Sequence, residues 1–210
     1  MSRSDALRNR QRVLDAAIEA YAHDGPRFGM HDVARRAQVG VGTVYRHFAD
    51  RDELVDAIAR PFFEQTLVIA AAAQETAAPG ERFATFVRAF AASLAEHGVS
   101  GHCSWDSPAA QPVRAELREI VTGFIEDGRA AGTIRADLTR EDASAILLTT
   151  TMLVDETREQ GPGIWQRHVD LVLDGIRPGP PEPLPAPPVD RAAWDAFVRA
   201  RGERACDRPR

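Results

Sequence analysis

Apolar residues recur with the 3.6-residue period of an α-helix along most of the chain. Leu7, Leu14, Ala17, Ile18 and Tyr21 share one face, which predicts an amphipathic helix over 5–23, ended by Asp24-Gly25-Pro26. Val33, Ala34 and Ala37 mark a short helix at 30–37. Its small alanines let another helix approach closely. Gln38-Val39-Gly40 is a tight turn, and 41–48 forms a third helix with Val44 and Phe48 inward. Asp50 is a good N-cap, and Glu53 three residues on completes a capping box. The fourth helix carries Leu54, Val55, Ile58 and Phe62 and extends towards Gln74. Pro61 lacks an N–H and its ring opposes the carbonyl of Ala57, so a kink or break is expected near 57–61.

A helix over 80–97 carries Phe83, Phe86, Val87, Phe90 and Leu94, and 102–112 reads as irregular. A helix over 113–131 follows, with Gly128 weakening its second half. Thr139 caps a helix over 140–160, with Asp142 where a capping box more often has Glu or Gln. The last core helix spans 164–176. Seven prolines in 178–188 make a stiff polyproline-type linker, and Asp190 then caps a short amphipathic helix with Trp194, Phe197 and Val198. No strand alternation and no internal repeat stand out, so the fold class is all-α. The expected organisation is a helix-turn-helix domain at 1–50 (motif about 30–48) and a second helical domain at 51–177. A linker at 178–189 and a C-terminal helix at 190–205 complete it.

Composition narrows the function. A chain of 210 residues, 44% hydrophobic and 27% charged, has ordinary globular composition. Two cysteines, Cys103 and Cys206, make no disulfide framework. No apolar run approaches the ~20 residues needed to span a bilayer, and Met1 to Arg12 holds no apolar leader core. A cytoplasmic protein without a membrane partner is expected. The net charge of −5 hides an asymmetry: residues 1–50 hold eight arginines against six acids, and the remainder is acidic. Arg3, Arg8, Arg10 and Arg12 face a single acid, Asp5, in the first twelve residues. A basic end on an acidic body points to a polyanion contact, with scattered surface charge as the alternative.

Helix, short turn and helix within 30–48 form a helix-turn-helix unit, whose second helix enters the major groove. That recognition helix is Val41-Gly42-Thr43-Val44-Tyr45-Arg46-His47. Arg46 has the donors to reach guanine O6 and N7 together. Tyr45 at helical spacing is alternatively a core aromatic, and Arg46 and His47 alternatively solvated surface. Gly40-Val41-Gly42 is not a phosphate loop, because no strand precedes it and the Lys-Ser/Thr signature is absent. His102, Cys103 and Asp106 are too loosely spaced to expect a metal site. No paired-carboxylate or nucleophile–base spacing stands out, so neither an enzyme nor a cofactor is expected.

Three runs carry a resemblance. Asp32-Val33-Ala34-Arg35-Arg36-Ala37, then Val39-Gly40-Val41-Gly42-Thr43-Val44-Tyr45-Arg46-His47-Phe48, then Arg51-Asp52-Glu53-Leu54, resemble the DNA-binding domain of the TetR (tetracycline-repressor) family of bacterial regulators over residues 6–60. The resemblance implies a homodimer that binds double-stranded operator DNA through its N-terminal helices. Its C-terminal helices form an effector pocket and the dimer interface. It implies phosphate contacts from Thr43, Tyr45 and His47, and base contacts from Val41, Gly42 and Arg46. It also implies backbone contacts from Arg51 and from the start of the second helix near Met30 and His31. The chain departs from the family pattern in four places. Gly29 and Gly40 stand where capping residues are usual, Val41 where a polar residue is common, and Gln38 where the turn glycine is usual. Gln38 must then adopt φ near or above zero.

In the second domain Trp105 is the first candidate to line a pocket for a small apolar effector, with Phe86, Phe90, Phe124 and Met152 behind it. An ordinary filled core is the alternative. The last two core helices are apolar around much of their circumference, so Ile146, Thr150, Leu153, Trp165, Val169, Val172 and Ile176 are candidates for a four-helix interface with a symmetry mate. The fourth helix joins both domains, and Pro61 is the candidate hinge. The expected function is a transcriptional regulator released from its operator by an effector. The alternatives are an activator, or a helical binding protein or enzyme with a vestigial helix-turn-helix.

Overall fold

The computed structural model describes residues 3–24, 28–97, 111–157, 163–179, 184–197 and 200. Its helices are α1 (Arg3–Asp24), α2 (Met30–Arg36), α3 (Val41–His47), α4 (Arg51–Thr76), α5 (Arg82–His97), α6 (Gln111–Ala130), α7 (Arg140–Thr157) and α8 (Gly163–Gly175). A short helix, α9, covers 191–197. Among the described residues no strand occurs. Most of the stretch expected to be irregular, with His102, Cys103, Trp105 and Asp106, lies outside the described residues, as do Gly25, Pro26 and Val198.

The chain divides into two compact units. One holds α1–α3 and the first half of α4. The other holds the rest of α4 and α5–α8, so the division falls inside α4 between Phe63 and Glu64.

In the first unit, Val13, Ala16, Ala17, Ala20 and Tyr21 make the inward stripe of α1. They pack with Val33 and Ala34 of α2, Val44 of α3, and Leu54, Val55 and Ile58 of α4. Phe28 meets Tyr21 edge-on, 5.9 Å between ring centres. The periodic face holds from residue 13 onward, but Leu7 stays in water. Asp50 caps α4 as expected, with Glu53 N–H donating to Asp50 Oδ1 (2.8 Å), but the return bond to Glu53 Oε2 comes from Ala49 N–H (2.6 Å), one residue before the cap of a regular box. The expected break at Pro61 does not occur. α4 runs through it as one helix, with the proline exposed and Ile58, Ala59 and Phe63 buried around it.

In the second unit, Phe83, Phe86, Val87, Phe90 and Leu94 of α5 are buried, as are Leu117, Val121, Phe124 and Ile125 of α6. The Phe86 ring lies 5.9 Å from Phe90 and 6.0 Å from Phe124. α6 continues through Gly128, onto which Ile134 folds back, so that a methyl group there would lie 2.5 Å from Ile134 Cδ1. Gly132, at φ 69, ends α6. The N–H groups of Gly132 and Thr133 return to the carbonyls of Arg129 and Gly128. Thr139 and Asp142 close a full reciprocal box at α7, in which Asp142 N–H donates to Thr139 Oγ1 (3.1 Å) and Thr139 N–H to Asp142 Oδ2 (2.8 Å). The tail is tied down by Leu184 N–H, which donates to the Asp137 carboxylate (3.2 Å). Asp190 caps α9 through Ala193 N–H (2.8 Å).

Candidate nucleic-acid interface

α3 is seven residues long and has no side-chain cap, because Gly40 precedes it. Its position depends on what it buries. Val44 is 0% exposed in the core of the first unit, and Phe48, directly after the helix, is 1% exposed. With that edge fixed, helical geometry turns the opposite edge to solvent. Gly42, Tyr45 and Arg46 are exposed there, and Thr43 and His47 are half-buried at its margins. Tyr45 is 50% exposed, which excludes the core-aromatic reading. Nothing lies within 4 Å of a methyl group placed on Gly42, so the backbone is open at this point. Val41 packs partly against the core. His47 turns Nε2 away from solvent, where it finds no hydrogen-bond partner among the described residues.

The start of α2 corrects one expectation. Met30 is 6% exposed and belongs to the core, and only the neighbouring His31 is exposed. Gly29 adopts an extended conformation before the helix and makes no side-chain cap. Arg51, at the start of α4, lays its guanidinium over the Phe28 ring, 5.6 Å from the centroid, and pairs with Asp52 at 3.5 Å.

The turn between α2 and α3 closes on a residue in the left-handed region, Gln38 at φ 55. Gln38 N–H donates to the Arg35 carbonyl and Val39 N–H to the Ala34 carbonyl. That pattern usually has glycine at its left-handed position. The basic N-terminus is tied into this frame. Arg12 Nη2 donates to the Ala37 carbonyl (2.5 Å) and to the Gln38 carbonyl (3.4 Å). Arg10 lies over the Phe48 ring at 5.1 Å, and Arg8 pairs with Asp5. The charge count points to these arginines, but the partners of Arg10 and Arg12, 25 to 38 positions away, leave no local signal of what those two hold.

The second unit sorts the remaining candidates. Phe86, Phe90 and Phe124 are buried on one another, whereas Met152 is 47% exposed and does not share that interior. Trp105 lies outside the described residues. Of the interface candidates, Thr150, Trp165, Val169 and Ile176 are buried inside their own unit. Ile146, Leu153 and Val172 are half-buried. The large apolar side chains that α7 and α8 leave in water are Met152, Ile164 and Leu171. Among the described residues there is no group of three or more potential metal ligands, and no helix is long and apolar enough to cross a membrane.

Comparison with known proteins gives two family matches. Residues 13–58 match the model "Bacterial regulatory proteins, tetR family", and residues 78–178 match "Transcriptional regulator SbtR-like, C-terminal domain". An HTH-type transcriptional regulator of Staphylococcus aureus is 38% identical over 53 residues, which is 25% of this chain and 29% of that relative's length. The structure of the ketosteroid transcriptional regulator KstR2 of Mycobacterium tuberculosis superposes with a TM-score of 0.66 at 25% identity, covering 81% of this chain and 95% of that one. A tetR-family regulatory protein from Rhodococcus shares the fold at a TM-score of 0.64 and 24% identity, covering 85% of this chain and 100% of that one.

Proposed function

The chain belongs to the tetR family of bacterial regulatory proteins, and from that premise we propose that it is a cytoplasmic, dimeric repressor. It holds a two-fold operator through α3 and releases it when a small apolar effector enters the second unit. The observation that carries the reading is the two-edged build of α3. Val44 fixes one edge in the core, and Tyr45 and Arg46 stand in solvent on the other.

In this reading Arg46 reads a guanine with paired donors, and Val41 meets a thymine methyl beside the open backbone at Gly42. Thr43 and Tyr45 hold phosphates, as does His47 through the ring nitrogen other than the buried Nε2, with Arg51, His31 and the start of α2 at Met30 flanking them. Two copies of α3 about 34–36 Å apart reach successive major grooves. The second copy packs on the apolar side chains that α7 and α8 leave in water, Met152, Ile164 and Leu171, with half-buried Ile146, Leu153 and Val172 at its margin. The effector opens the aromatic layer of Phe86, Phe90 and Phe124. Thr150 on α7 is a second buried feature of the same unit: it is 1% exposed, and its hydroxyl finds no hydrogen-bond partner among the described residues.

Selection of duplexes from a random-sequence pool tests the function. A single enriched near-palindrome is expected, with affinity that falls steeply as salt rises. Recovery of no preferred sequence overturns the reading.

A further inference from the structure

We propose that Arg10 and Arg12 are positioning residues that bracket the recognition helix from α1, rather than additional contacts to DNA. The inference rests on the reading of α3 as the recognition helix. Three observations carry it.

The first is the state of the turn before α3. α2 ends on a hydrogen-bonded closure that satisfies the carbonyls of Ala34 and Arg35. That closure leaves the carbonyls of Ala37 and Gln38 pointing away from the helix ladder, at the negative end of α2. Arg12 Nη2 takes both. The same turn is strained, because Gln38 sits at φ 55 without the freedom of glycine. A turn of this kind needs an external hold to keep one geometry, and a cation with directed donors supplies it.

The second is the exit from α3. Phe48 leaves the helix in an extended conformation and is buried. The Arg10 guanidinium covers its ring at 5.1 Å. The third is the spacing of the two arginines on α1. Residues two apart on a helix point to different sides. Arg10 and Arg12 therefore reach around α1 in two directions, one to each end of α3, while Val13, Ala16 and Ala17 carry the packing between. A seven-residue helix with no side-chain cap is held in the core by Val44, by Phe48 directly after it and in part by Val41, and the two arginines add a hold at each end.

The test uses the full chain, the duplex it selects from a random pool, and a scrambled duplex of the same composition. Arg12→Gln is expected to lower the preference for the selected duplex by about tenfold, the scale of one hydrogen bond to a charged group. Affinity for the scrambled duplex and its salt dependence should stay as in wild type. Arg12→Lys, which keeps the charge and a donor, should recover part of the preference. Without DNA, hydrogen exchange in Arg12→Gln should quicken over 37–48 only. A loss on both duplexes alike, with a salt slope shallower by about 0.9 per contact, identifies a phosphate contact and overturns the proposal. Unchanged preference and exchange overturn it too, as does faster exchange throughout the first unit. A wild type with no preferred duplex overturns the recognition reading itself, and the bracket with it. Arg10→Gln is expected to act in the same way, with faster exchange centred on Phe48.

Discussion

Gly128 has no room for a side chain, and its neighbour in the same helix, Gly123, has ample room. A methyl group on Gly128 meets Ile134 at 2.5 Å, and one on Gly123 meets nothing within 4 Å. Gly128→Ala is therefore expected to destabilise by about 1–3 kcal/mol through overpacking, since Ile134 is itself buried. Gly123→Ala should gain about 0.5–1 kcal/mol from helix propensity. Urea unfolding of both variants decides the matter, and the opposite order of stabilities contradicts the packing. The sequence shows both glycines in a helical pattern and cannot separate them, because Ile134 comes back onto α6 only when the following turn has formed. Asp137 is another residue whose state depends on its neighbours. The hydrogen bond from Arg135, then that from the Leu184 N–H, lower its carboxyl from 3.8 to about 2. Folding thus favours the charged form. The stability difference between wild type and Asp137→Asn should be complete above about pH 4 and close as the pH falls towards 2, measured by denaturant unfolding across that range.

Two helices end on the same hydrogen-bonded closure with different residues at the left-handed position. α6 uses Gly132 at φ 69, and α2 uses Gln38 at φ 55. Gln38→Gly should therefore relieve strain and raise the stability of the first unit by about 1 kcal/mol, read from thermal or denaturant unfolding. No change would mean that the Arg12 hold already offsets the strain. A tight turn at 38–40 was legible in the residues, and the left-handed conformation of Gln38 followed only from the family resemblance, in which glycine is usual at that position. On α3 the exposed residues divide by chemistry. Arg46→Ala should reduce the preference for the selected duplex by about 1–3 kcal/mol while leaving binding to random DNA largely intact. Tyr45→Phe should weaken both together, because a phosphate contact carries no sequence information. Fluorescence anisotropy with both duplexes separates the two, and equal behaviour of both variants to wild type contradicts the roles. α4 shows the limit of local rules. Proline removes one hydrogen bond from a helix interior, but a helix with buried residues on both sides of it continues through.

At the scale of the molecule the proposed function requires two recognition helices to act together. The proposed pairing surface consists of apolar side chains left in water on α7 and α8. Leu171, 56% exposed, is a direct probe of it. Leu171→Glu should leave the fold intact by circular dichroism and convert a dimer to a monomer in sedimentation velocity. With the second half-site no longer tethered, affinity for the selected duplex should fall by about a hundredfold or more. A dimer that survives the substitution places the pairing elsewhere.

The sequence by itself determined the all-helical class, the helix-turn-helix and the core faces of α1 (from residue 13), α5 and α6. Each follows from side-chain type repeated at a helical period, and a period is a local property of the chain. The exposure of Tyr45 on α3 came from the structure. Only the tertiary structure decided which of two apolar faces on α7 and α8 is inside. There the periodicity runs nearly all round, and Trp165 and Val169 are sorted from Ile164 and Leu171 by where α5 and α7 lie. It likewise decided that Met30 belongs to the core and that Arg10 and Arg12 reach across to α3. A single hydrogen bond or ring contact between distant positions leaves no pattern along the chain from which to read it.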